Sequence, residues 1–325
     1  MNHRERLEAT IHGERPDRVA IALWRHWPGD DQRAEDLAAA VLRFQRDYDF
    51  DFIKVTPSSS YCLEDWGVRT RWVGNQEGTR EYVHHPVSTP EDWARLPVLD
   101  PRQGALGEQL RCLALVREGA EDTPFLPTVF SPLAQAKNLV GGERLLVHLR
   151  QHPAALKAGL ETITATTVRF VRAARRAGIA GIFYAIQHAN YSLLSEAEYR
   201  EFGRPYDLRI LEAAAEGTWF NLLHLHGGDA MFDVVADYPV QAINWHDRET
   251  PPSLAQALGR TRATLCGGID RTEVMLRGSP DEVRAQVADA IQQTGGRRLI
   301  IATGCVILIT SPTANIWAAR EAVNP

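Results

Sequence analysis

The chain contains no Cys-x-x-Cys pair, no basic cluster and no apolar run near the roughly 20 residues that cross a bilayer. Its four cysteines, Cys62, Cys112, Cys266 and Cys305, stand far apart, which excludes a disulfide framework as the organising principle. The opening Met1-Asn2-His3-Arg4-Glu5-Arg6 lacks the apolar centre of a signal peptide. A cytoplasmic location without membrane contact is therefore expected. Scattered arginines and a net charge of −5 argue against a nucleic-acid partner. No Gly-x-Gly-x-x-Gly follows the first apolar run, which counts against a dinucleotide fold. No Pro-, Gly- or Ser-rich linker divides the sequence.

What is present is ordinary in amount and informative in order. Hydrophobic residues make up 44% and charged residues 24% of 325 positions, enough for a large core. Residues 18–24, 50–56, 124–130, 179–186, 218–226, 240–245, 263–266 and 298–304 read as strands, the seventh stopping at Cys266 before Gly267-Gly268-Ile269-Asp270. Between them lie stretches with helical spacing: 5–12, 36–47, 106–117, 133–140, 142–150, 153–177, 196–202, 207–216, 230–235, 253–258, 281–294 and 314–323. Ser195-Glu196-Ala197-Glu198 has the form of a capping box. Residues 61–99, with Trp66, Trp72 and Tyr82, read as an insertion after strand two, in the form of a small hairpin. Strands that alternate with helices pair in parallel. Eight such units predict a single (β/α)8 barrel over residues 1–325.

In such a barrel the active site lies at the C-terminal strand ends. Strand one offers Arg25 and His26 there, strand two Lys54 and Ser58, strand four Gln187 and His188. Strand five offers His224 and His226, strand six His246 and Asp247, strand seven Asp270, strand eight Cys305. Two positions apart in a strand, His224 and His226 face the same way. Imidazole and thiolate are zinc's preferred donors, so His224, His226 and Cys305 could share one ion. From the residues alone a buried hydrogen-bonded histidine and a space-filling cysteine stay open as the alternative; Cys266 suits the second role better. His246 and Asp247 could add a ligand, orient one or hold substrate. Arg25 and Lys54 could bind a carboxylate or phosphate, or pair with Asp247 or Asp270. Trp24, Trp27, Trp66 and Tyr61 could wall a pocket or pack the core.

The order of motifs resembles the uroporphyrinogen decarboxylase superfamily along nearly the whole chain. The resemblance rests on Arg4-Glu5-Arg6 and Gly13-Glu14-Arg15-Pro16-Asp17-Arg18-Val19 at the start. It continues through Ser131-Pro132-Leu133 to Gly141-Gly142, and Leu194-Ser195 to Glu201-Phe202 with Pro205-Tyr206. It closes with Gly304-Cys305-Val306, Ser311-Pro312 and Asn315-Ile316. It implies a (β/α)8 barrel with one of two chemistries. Cofactor-free porphyrinogen decarboxylases carry an arginine-rich stretch after strand one, an aspartate after strand two and a histidine after strand eight. Here those places hold Trp24-Arg25-His26-Trp27-Pro28-Gly29, Pro57-Ser58-Ser59-Ser60 and Cys305. The zinc-dependent methyltransferases, which move methyl groups between corrinoid proteins and thiols, carry His-x-Cys after strand five and Cys after strand eight. Here His224-Leu225-His226 and Cys305 stand there, and His246 lies near the place of a further ligand in the related methionine synthases.

The site therefore resembles the methyltransferase branch more closely. That implies zinc, or another first-row divalent metal, on His224, His226 and Cys305, with a corrinoid on a partner protein. His188, His246 and Asp247 are then the candidate catalytic side chains. Arg25, His26, Lys54, Gln187 and Asp270 are the candidate contacts to a small-molecule substrate. A metal-free decarboxylase or other carboxy-lyase acting on a carboxylated substrate is the alternative. A non-catalytic tetrapyrrole- or corrinoid-binding protein is a third reading. Pairing of two copies through their surfaces is expected by analogy with other barrels.

Overall fold

Runs of residues that are apolar at every position form strands here because both faces of each strand are covered, one by the barrel interior and one by helices. The computed structural model describes residues 1–324. Its central strands are β1 (Ala20–Ile21), β2 (Ile53–Val55), β3 (Phe125–Phe130), β4 (Phe183–Ile186), β5 (Leu222–Leu225), β6 (Ala242–Trp245), β7 (Thr264–Ile269) and β8 (Leu299–Thr303). They form one eight-stranded sheet in the order β1-β8-β7-β6-β5-β4-β3-β2, and every pairing in it is parallel. The two end strands meet through Asp51 N, which donates to Ile21 O at 2.9 Å. This is the α/β barrel expected from the alternation.

The strands are shorter than the apolar runs, with one exception. β7 does not stop at Cys266 but continues through Gly267 and Gly268 to Ile269, paired with Ile301, Ala302 and Thr303 of β8. The reason is space. A Cβ on Gly267 would stand 2.3 Å from Asp247 Oδ1, so only glycine lets the strand continue beside that carboxylate.

The helices follow the periodicity closely. Ser195 caps the helix Glu196–Phe202 as the sequence indicates, accepting from Glu198 N while the Glu198 carboxylate accepts from Ser195 N. The insertion contains the expected hairpin, Arg69–Arg71 antiparallel to Glu81–His84. Its loop folds back over the barrel mouth. Gln76 O accepts from Ile309 N at 3.0 Å, Glu77 pairs with Arg271, and Gly78, at φ +84°, is seated where a Cβ would lie 2.5 Å from that of His26. Among the described residues no helix is long and apolar enough to cross a membrane.

Candidate active site

The strand register brings the candidate ligands together. His224 on β5 lies beside Asn244 of β6, which lies beside Cys266 of β7; neighbours in register point the same way. His226 and His246 follow β5 and β6, and Cys305 follows β8 after Gly304. A Cβ on Gly304 would be 2.6 Å from His246 Cα, so the missing side chain lets the two strand ends approach. One ligand atom from each of His224, His226, His246 and Cys305 falls within 4.8 Å of every other.

Cys305 Sγ is 3.6 Å from His224 Nε2 and 3.6 Å from His226 Nδ1. A tetrahedral ion with bonds of about 2.3 Å to sulfur and 2.05 Å to nitrogen sets its donors about 3.6 Å apart, so the spacing fits such an ion. Neither ring nitrogen of the buried His246 makes a hydrogen bond; Glu249 Oε2 stands 3.3 Å from Nδ1. With Glu249 beside Nδ1, it is Nε2 that stands without a partner among the cluster, and a buried ring nitrogen of that kind is costly unless something else satisfies it, as a proton taken from a bound group would. Imidazole and thiolate donors together suit a first-row transition metal.

The electrostatics agree with this donor set. Burial alone would raise the Cys305 thiol, but the surrounding histidines, His224 first, hold it well below its ordinary value. Burial pushes His224 down despite Cys305, which favours the neutral ring a ligand needs. Burial also opposes charge on His246, yet Cys305 and Glu249 outweigh it and raise its pKa.

His224, His226 and Cys305 form one wall of a cavity of about 230 Å³. Trp24, His26, Lys54 and Gln187 also line it, so four further residues singled out in the sequence meet there. Lys54 Nζ is buried without a carboxylate partner. It donates to Thr56 Oγ1 at 3.0 Å and lies 4.5 Å from the centre of the Phe183 ring. Lys137 and Arg80 line the same space. Its one lining carboxylate, Glu77, is paired with Arg271. The chain has three lysines, and two of them face this cavity.

Other candidates lie elsewhere. Arg25 turns away, its guanidinium 4.9 Å from the Trp27 ring centre, beside Val41 and Phe44. Asp270 serves its own turn, accepting from Thr272 N and Glu273 N at 2.8 and 2.6 Å. Asp247 accepts from Gly268 N at 3.1 and 3.2 Å, and burial pushes it up to about 6. Neither aspartate pairs with Arg25 or Lys54. His188 is buried outside the lining; burial, then nearby Lys137, pushes it down to about 3, so it carries no exchangeable charge near neutrality. His26 is likewise pushed down to about 3 by burial and by Lys54. Trp66 and Tyr61 serve the framework, donating to Pro97 O and Thr128 O.

Three participants were not found by reading strand ends. Lys137 belongs to the helix Pro132–Val140, and its signal was a lone charge in an apolar segment. Arg80 sits in the insertion, whose folding back no local pattern announces. Asn244 interrupts the apolar run of β6, and a polar residue inside a fully buried strand was the available sign.

Other proteins are similar to this chain in sequence and in fold. The chain is 22% identical over 298 residues to the methylcobamide:CoM methyltransferase MtbA of Methanosarcina mazei, spanning 91% of this chain and 86% of that one. A uroporphyrinogen decarboxylase of Saccharopolyspora erythraea is 34% identical over 146 residues, 43% of this chain and 39% of the relative. A solved methyltransferase structure from Methanosarcina mazei superposes with a TM-score of 0.86 at 19% identity, over 99% of this chain and 98% of that one, which shows the shared fold. The family model described as uroporphyrinogen decarboxylase (URO-D) matches residues 2–325, and the chain belongs to that family.

Proposed function

We propose that residues 1–325 act as one barrel domain, a methyltransferase that moves a methyl group from a corrinoid on a partner protein to a small thiol. The observation that carries this reading is the convergence of His224, His226, His246 and Cys305 with Sγ–N spacings of 3.6 Å. The names of the Methanosarcina mazei relatives support it. His224, His226 and Cys305 would hold a zinc-class divalent ion. When bound, that ion supplies the positive charge that stabilises a thiolate near neutral pH.

The chain's own residues do the rest. Lys54 and Lys137 hold an anionic end of the acceptor, with Gln187 and His26 beside them. Phe183 and Trp24 give the cavity apolar walls. The loop of the insertion hairpin covers the mouth and limits water. His246, its Nδ1 turned to Glu249, accepts the thiol proton at Nε2. The thiolate sulfur then forms a bond to the methyl carbon, and the departing corrinoid keeps the electron pair of the broken bond.

A carboxy-lyase is the second reading, favoured by the 34% identity to the Saccharopolyspora erythraea decarboxylase. A cavity of about 230 Å³ suits a small acceptor better than a tetrapyrrole. Metal analysis of protein purified without chelator separates the two. About one equivalent of a first-row divalent metal is expected, falling in Cys305→Ser and His226→Ala. Less than a tenth of an equivalent, even after metal is supplied, overturns the methyltransferase reading. Activity retained in chelator supports the lyase.

A further inference from the structure

Asn244 is completely buried in the middle of β6, among Ala242, Ile243 and Trp245. A primary amide in such a place needs its donors and its acceptor matched. All three are. Nδ2 donates to Cys266 O at 2.8 Å and to Thr303 O at 3.0 Å, and Oδ1 lies 2.6 Å from His224 Nδ1.

The two carbonyls settle which way the amide faces. A carbonyl oxygen only accepts, so the NH2 group must point at Cys266 and Thr303. Turning the amide over would set Oδ1 against two oxygens and lose both bonds. Oδ1 therefore faces His224, and it too can only accept. A ligating imidazole is neutral and carries one hydrogen. That hydrogen is then on Nδ1, and the Nε2 lone pair is directed toward Cys305 Sγ, 3.6 Å away.

The same amide reaches Cys305 by a second route. Thr303, whose carbonyl it holds, donates from Oγ1 to Cys305 O at 2.5 Å. The amide thus ties β6 to β7 and β8 and touches the elements that carry His224 and Cys305.

We propose that Asn244 is a positioning residue for the His224–Cys305 pair, fixing His224 as the Nδ1–H tautomer with Nε2 free to ligate, and setting the turn that carries the thiol. This deepens the metal-centre reading and rests on it for its purpose. The tautomer itself is a property of the metal-free protein.

The test uses this difference. In the metal-free full chain, with histidines labelled with nitrogen-15, long-range proton–nitrogen correlations report the ring of His224, assigned by its loss in His224→Gln. The expected pattern is a protonated Nδ1 and a bare Nε2. A proton on Nε2, or an even mixture, overturns the proposal. Cobalt(II) competition against a chelator then compares the wild type with Asn244→Ser. Affinity is expected to fall roughly 10- to 100-fold, the usual effect of losing a partner that orients a metal-bound histidine, with unchanged far-ultraviolet circular dichroism. An unchanged affinity overturns the positioning role. Should the wild type bind no cobalt or zinc, the metal-centre reading fails, while the His224 tautomer still decides this inference.

Discussion

Lys54 is a cation placed where a cation is costly. A buried ammonium without a carboxylate is destabilised by desolvation, and burial pushes Lys54 down to about 7 although Cys305 pulls the other way. The hydroxyl of Thr56 and the face of Phe183 compensate in part. An incoming anion would complete the shell. The sign of the pH effect follows: Lys54 is charged below about pH 7 and loses its proton above it, so affinity for an anionic acceptor should fall as pH rises through that value. Lys54→Arg keeps its charge throughout and should flatten the rise of KM. Lys54→Met should raise KM roughly 10- to 100-fold, matching the 1.5–3 kcal/mol of a hydrogen bond to a charged group, with kcat changed only a few-fold. An equal KM for Lys54→Met and wild type between pH 6 and 8 would remove Lys54 from substrate binding. Lys54 could be picked out in the sequence because it ends an apolar run. Arg25 ends one too, but beside Trp27 it found an aromatic face instead of the cavity.

Between elements, the same logic governs Asp207, buried where the helix Arg204–Ala215 leans on the barrel. Its carboxylate accepts from Tyr184 of β4 at 2.6 Å, from Tyr199 of the preceding helix at 2.5 Å and from Tyr238 at 2.9 Å. Burial outweighs these donors and pushes Asp207 up to about 6. With a folded value above the unfolded one, the native state holds the extra proton between about pH 4 and 6. This contribution is therefore full below pH 4 and lost as pH rises through 6. Wild-type unfolding free energy should lose something on the order of 2–3 kcal/mol from this group across that window. Asp207→Asn should lack that component of the slope, as urea titrations at pH 4.5 and 6.5 would show; identical slopes would contradict it. No spacing rule announces such a network, because its four members come from separate segments. The elements themselves were legible, since each apolar run and each helical repeat is a local signal. The hairpin's position over the mouth and the continuation of β7 were not, for they depend on Gly78 meeting His26 and on Gly267 giving way to Asp247.

At the scale of the whole molecule, the barrel must close between its first and last paired strands, and there it relies on charge. β1 and β2 share the single backbone bond from Asp51 to Ile21. The fully buried Asp51 carboxylate accepts from Arg6 and Arg18 at 2.7 Å each and from Ile21 N at 2.8 Å, while His3 Nδ1 lies 3.2 Å away. Burial opposes its charge, but these partners, His3 first, hold its pKa below the ordinary carboxylate value. Removing one member of a buried ionic cluster leaves the others uncompensated, at about 3–5 kcal/mol. Asp51→Ala should therefore shift the urea midpoint down by that amount of stability. The cluster lies at the N-terminal strand ends, whereas His224, His226, His246 and Cys305 lie at the C-terminal ends, held by β5, β6 and β8 through bonds that do not involve Asp51. If the proposed centre binds its ion, Asp51→Ala should then keep the wild-type metal stoichiometry without denaturant, and the metal should leave only as the chain unfolds. Metal lost from a fully folded Asp51→Ala would show that closure at one end of the barrel sets the geometry at the other.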